Sequence, residues 1–233
     1  MLVKIKDRLI LVPSFGEVFE RGRRVVRRAL RPKIFRAIES GSDEEVLSLA
    51  TRRTLERAKG EWRESPLEAC ISARRSDLAC RLVESGVRFR GAVALAAMYG
   101  DAAVVRKLLA AGADPDEPLS DDEFNRGFTP LMWATNRHHF DVMQSLLAAG
   151  ASVNATSEDG TTAVMCTKKG TAEDLCALEL LCAYRPKLTM RDWRGRTILD
   201  EARDRERFSG KSEMRHLLLR HFPELSGELD AGQ

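Results

Sequence analysis

The chain repeats itself, and that constrains its fold more than any other feature. A leucine-like position recurs at Ile34, Leu67, Val93, Leu131, Val164 and Leu199, at intervals of 33, 26, 38, 33 and 35 residues. Three stretches overlay as they stand: SPLEACISARRSDLACRLVESG at 65–86, GAVALAAMYGDAAVVRKLLAAGAD at 91–114 and TPLMWATNRHHFDVMQSLLAAGASVN at 129–154. IFRAIESGSDEEVLSLA begins another at 34, and TILDEA another at 197. A unit this short cannot bury its own apolar face. Copies stacked side by side can, so a sequence period of this size predicts a quasi-one-dimensional array.

Each unit reads as two short helices. In 129–154, Leu131 and Ala134 face inward from the first, and Val142, Met143, Leu146 and Leu147 from the second. Spacings of three and four residues draw one apolar stripe per helix. Thr129 is placed to cap the first helix, and Pro130 at its first position loses no needed donor. Gly112 and Gly150 follow Leu-Leu-Ala-Ala, where a helix end calls for positive φ.

The pattern resembles the ankyrin repeat, T-P-L-H-x-A-A-x-x-G-H followed by x-x-V-V-x-x-L-L-x-x-G-A-D-V-N, most closely at 91–116 and 127–154. The resemblance implies an all-α ankyrin-repeat solenoid of about six helix-turn-helix repeats. They lie near 32–64, 65–90, 91–126, 127–159, 160–194 and 195–225, with the outer two as caps. Residues 1–31 form a basic N-terminal extension, and 226–233 are expected to be a flexible tail. The chain departs from the signature in several places. Met132 replaces the His, His138 replaces the Gly, and the first unit lacks Thr-Pro. One extra residue stands around Gly170–Ala172, and DRERFSGKS is inserted between the helices of the last unit. Val87–Arg90 is too short for a hairpin finger, whereas the acidic DPDEPLSDDEFNRG at Asp114–Gly127 should project.

Such arrays bind proteins through a concave face built from finger tips and first helices. Carried over by position, the partner contacts are Met98, Tyr99, Phe124, Phe128, Trp133, Asn136, Arg137, Trp193 and Arg194. Tyr99, Phe128, Trp133 and Arg137 combine residue types enriched at binding hot spots. The alternative is that Trp133 and Phe128 pack against neighbouring repeats. The expected function is a non-enzymatic interaction module, an adaptor or a structural subunit of a larger assembly. No phosphate loop, dinucleotide fingerprint or nucleophile elbow is present, and no cofactor or metal is called for. His138 and His139 point about 100° apart on a helix and do not share a metal; His139 holds the signature His position. Asp121–Asp122–Glu123 reads as a solvated finger. Asn154 matches the finger Asn that some ankyrin proteins present for hydroxylation, and its simpler role is to bond a turn. Five cysteines without a C-x-x-C pair point to free thiols in a reducing compartment.

Residues 1–36 hold 11 Lys/Arg against 3 Asp/Glu, so a chain of net charge +3 leaves −5 on 37–233. Within EVFERGRRVVRRALR (17–31), Val, Phe, Ala and Leu recur at helical spacing, opposite a face of arginines. Such a helix could cap the first repeat or lie weakly on an anionic membrane. It could also dock an acidic protein or an RNA backbone through Arg23, Arg24, Arg27 and Arg28. The last option carries the alternative function, a nucleic-acid-associated subunit anchored by this extension. LVKIKDRLILV at 2–12 should form an extended strand or a helical turn, ordered against a partner. No apolar run approaches the roughly 20 residues of an integral membrane segment. An intracellular, cytoplasmic location is expected, with a mitochondrial one as the alternative on account of the arginine-rich start.

Overall fold

Where the chain turns is marked by left-handed residues. Between the paired helices, at what we call the elbow, stand Gly41, Arg74, Gly100, His138, Gly170 and Gly210, all with positive φ. After the second helices stand Gly86, Gly112, Gly150 and Arg185, again with positive φ. Glycine adopts this conformation freely, whereas a Cβ costs about 1 kcal/mol or more there. The three non-glycine exceptions each put a basic side chain to use on the following repeat. An Arg74 guanidinium nitrogen donates to the Tyr99 carbonyl. His138 Nε2 lies 2.7 Å from Asp174 Oδ1, and Arg185 Nη1 donates to the His221 carbonyl at 3.0 Å.

A computed structural model describes residues 2–5, 8–11, 33–51, 54–55, 65–86, 90–119 and 127–230. They fall into two units, Met1–Ala69 and Cys70–Gln233. In the first, β1 (Leu2–Ile5) pairs antiparallel with β2 (Arg8–Leu11), with Leu2 opposite Leu11. The expected single strand or helical turn over 2–12 is therefore a hairpin: two β-favouring runs flank the polar pair Lys6–Asp7. The arginine-rich helix expected over 17–31, including Arg23, Arg24, Arg27 and Arg28, lies outside the described residues. Helices α1 (Lys33–Ser40) and α2 (Asp43–Leu49) pack together as one pair. Ile34, Phe35, Ala37 and Ile38 are buried at helical spacing, and Ser42 caps α2 by accepting from the Glu45 N–H. Helix α3 (Pro66–Ser72) opens on a capping box in which Ser65 and Glu68 accept each other's backbone N–H.

The second unit continues with α4 (Ser76–Val83), α5 (Ala92–Tyr99), α6 (Ala102–Ala110), α7 (Pro130–Asn136) and α8 (Phe140–Ala148). A 3-10 turn (Val164–Thr167) precedes α9 (Ala172–Cys182), followed by α10 (Ile198–Ser209) and α11 (Glu213–His221). First helices pack in one row, α5 on α7 and α7 on the 3-10 turn. Second helices pack in another, α4 on α6 on α8, with α9 on α11 beyond. The core lies between the rows. Helix α5 is buried all along Ala92–Ala97, which its small side chains permit. It lacks a Thr cap, and Glu117 supplies one from 26 residues downstream by accepting the Gly91 N–H at 3.2 Å.

Three expectations are corrected here. The first helix of the 160–190 unit is a four-residue 3-10 turn, not an α-helix. Its Thr167 hydroxyl donates to the Val164 carbonyl at 2.7 Å, and β-branched Thr162, Val164 and Thr167 favour helix weakly. The DRERFSGKS insertion lies only in part between the helices: most of it lengthens α10 to 12 residues, ending at Ser209, and Gly210–Ser212 lead to α11. The expected flexible tail is a short helix, α12 (Ser226–Asp230), through its described part, with Leu229 buried.

Asp174 is the polar residue on which the fourth and fifth repeats converge. It is 1% exposed, completes a capping box with Thr171 and takes His138 from the preceding repeat. Asp174→Ala removes all of these at once. We expect a loss of about 2–4 kcal/mol of unfolding free energy, measured as a lower urea midpoint.

Candidate binding surface

Two finger tips share one construction. In Ser157–Thr161 the first residue's N–H donates to the fifth residue's carbonyl at 2.9 Å, and Gly160 N–H to the Ser157 carbonyl at 3.0 Å. In Asp192–Arg196 the same two bonds measure 2.9 and 2.8 Å. Asp192 Oδ1 also accepts the N–H groups of Arg194 and Arg196, both at 2.9 Å, an Asx-type turn that closes the loop from inside. Three outer ties hold the second tip. Trp193 N–H donates to the Asp159 carbonyl at 2.8 Å, and Arg191 Nη1 to the Gly195 carbonyl at 2.6 Å. Arg196 Nη2 lies 2.7 Å from Asp204 on α10. On this fixed loop Trp193 is 68% exposed, with the Arg194 guanidinium 4.6 Å over its ring.

The elbows form a second edge. The Arg74 guanidinium lies 5.3 Å from the centre of the Tyr99 ring. The His139 ring fills the space beside Gly100, where a Cβ would come within 2.6 Å of it, and bonds the Met98 backbone. Further along, an Arg205 guanidinium nitrogen donates to the Lys169 carbonyl.

Stacked helix pairs with this turn geometry have counterparts among known proteins. The profile of ankyrin repeats, in three copies, matches residues 67–157. Residues 67–157 are ankyrin repeats. An ankyrin repeat domain from Acinetobacter baumannii shares the fold at 24% identity and a TM-score of 0.70, covering 81% of this chain and 97% of that one. A second solved ankyrin repeat protein aligns at 18% identity and a TM-score of 0.65, covering 79% of this chain and 95% of its own. No curated protein matches the chain.

The contacts assigned from the ankyrin signature are therefore distributed as follows. Trp193 and Arg194 sit together on one exposed finger. Met98, Tyr99 and Asn136 are half-buried near the elbows, and Arg137 is exposed there. Trp133 is 4% exposed and packs edge-on against half-buried Phe128, ring centres 5.5 Å apart. The indole thus belongs to the core, the alternative held open for it from sequence. Phe124, Asp121, Asp122 and Glu123 lie outside the described residues. Asn154 bonds a turn, though in the following ankyrin repeat: its Oδ1 accepts the Lys187 N–H at 2.7 Å. Sequence reasoning missed the Glu117 cap and the ties from Arg74 and Arg185. The one available signal was a basic residue standing where the signature has glycine.

Among the described residues, no group of three or more His, Cys, Asp or Glu is placed to hold a metal, and no helix is long and apolar enough to cross a membrane. The free cysteines differ sharply. Burial pushes the Cys70, Cys166 and Cys182 thiols up to about 12, and burial with nearby Asp101 raises Cys80, whereas Cys176 is exposed. The thiolate is the reactive form. At mildly alkaline pH, iodoacetamide followed by peptide mass spectrometry should label Cys176 first and the three buried cysteines only after unfolding.

Proposed function

We propose that this ankyrin-repeat protein holds a protein partner through its fingers, as an adaptor or as a structural subunit of an assembly, with Trp193 and Arg194 as its main contact. Ankyrin repeats are in general protein–protein interaction modules and in general non-enzymatic. The observation that carries the reading is the exposed Trp193 on a tip closed by its own hydrogen bonds. Tryptophan and arginine dominate binding hot spots. A tip already ordered gives up little conformational entropy on association, so more of the contact energy is left for affinity. Tyr99, Asn136 and Arg137 extend the surface along the elbows. The test is retention of partners from the source cell by the immobilised chain. Proteins held by the wild type should be lost with Trp193→Ala, and equal retention by both would refute the reading.

A further inference from the structure

The elbows of the second, third and fourth repeats bring basic groups together. Arg74 reaches from one elbow to the Tyr99 carbonyl of the next and lies over that tyrosine's ring. His139 packs on Gly100 from the other side and bonds Met98, so the three elbows are contiguous. Arg137 stands beside the two histidines, exposed. Among the described residues neither Arg74 nor Arg137 has a carboxylate partner. The neighbouring acids have hydrogen-bond donors of their own. Asp101 takes the Ser76 hydroxyl and the Val104 N–H, and Asp174 takes His138. Glu173 is held at its own helix start by backbone and Thr171 hydrogen bonds. Burial first, then the charges of Arg74 and Arg137, hold the His139 ring below the usual histidine range. Arg74 and Arg137 both act on this one ring.

Two of these groups, Arg74 and His138, occupy left-handed positions where glycine costs less. His138 is accounted for by Asp174. Arg74 donates to one carbonyl, is exposed, and lies over the Tyr99 ring. Arginine forks match carboxylates in a bidentate way.

We infer that this elbow cluster, Arg74 and Arg137 flanking Tyr99 and His139, docks an acidic peptide segment of the partner. The inference rests on the partner-binding reading above and names the chemistry of one contact. The charge balance favours a peptide over a polyanion. Residues 37–233 carry −5, so a nucleic acid or an anionic bilayer laid along the array meets net repulsion. A short acidic segment meets only the local cluster.

The experiment is fluorescence anisotropy on the full chain at low ionic strength, with a labelled peptide of alternating glutamate and serine. Its lysine–serine counterpart and a single-stranded RNA serve as comparisons. Arg74→Gly keeps the backbone conformation that the position requires, and Arg137→Gln disturbs no described contact. Arg106→Gln, at an exposed site on α6, is the control. The acidic peptide should bind, and the double variant should weaken it by about tenfold or more, with the control unchanged. If the double variant unfolds, Arg137→Gln alone should still weaken binding measurably. No binding of the acidic peptide, equal affinity for the variants, or a loss of RNA binding in the double variant as large as the loss of peptide binding overturns the inference. A chain that still retains Trp193-dependent partners while ignoring the acidic peptide refutes this contact and leaves the finger reading standing.

Discussion

Trp133→Ala should lower the unfolding free energy of the array by about 3–5 kcal/mol, the range for emptying a buried aromatic site. Trp133 is 4% exposed in α7, the helix that packs on α5 on one side and on the 3-10 turn on the other. Its Nε1 has no hydrogen-bond partner, so truncation forfeits packing and leaves a hole without breaking a polar contact. In a stacked array, stability is close to a sum of repeat terms and neighbour interfaces. A hole in this helix weakens two interfaces at once. Trp133→Phe keeps the contact with Phe128 and removes an unsatisfied donor, so its cost should be far smaller. Urea unfolding followed by circular dichroism reads both variants. A loss under about 1 kcal/mol for the alanine variant would show that the indole is not core.

Trp193→Ala should do the opposite. The bonds that close its tip come from backbone groups, Asp192, Arg191 and Arg196, and all survive the substitution. Stability should stay within about 0.5 kcal/mol of the wild type. Partner affinity should fall by about 2 kcal/mol or more, roughly thirtyfold or more, as at a binding hot spot. Arg194→Ala should cost less, since it removes the stacked cation and leaves the indole exposed. Opposite behaviour of the two tryptophans would separate the core from the proposed binding surface. Phe208, 78% exposed at the end of α10 with the Arg207 guanidinium over its ring, offers a comparison: its alanine variant should leave that affinity unchanged.

What could be read from the sequence was what depends on neighbours along the chain. The period, the apolar stripes, the Thr129 cap and the left-handed turns at Gly112 and Gly150 are all local rules. The structure bears them out, with Thr129 accepting the Met132 N–H at 3.4 Å. The features that escaped depend on distant partners. Glu117 caps a helix 26 residues upstream. Trp133 falls at a position whose side chain points either into the stack or out of it, depending on the bulk of the adjacent repeats, which periodicity does not encode. The 160–190 unit aligns with the signature, yet its first helix tightens to a 3-10 turn because β-branched residues crowd it. Insertion DRERFSGKS was visible as extra length, but only the hydrogen bonds tell whether extra length becomes loop or helix. Of the binding surface, the residue types at the finger tips were legible. That Trp193 stands on a closed loop while Trp133 does not face the solvent was not.

Direct cross-linking decides whether the fingers hold the partner. A photoreactive benzoylphenylalanine placed at position 193, and separately at the exposed outer-helix position of Arg106, tests it in the intact chain in its source cell. Position 193 should cross-link to a defined protein that is also retained by the wild-type chain, and position 106 should not cross-link to it. Cross-linking of that protein from position 106 with none from 193 would contradict the account.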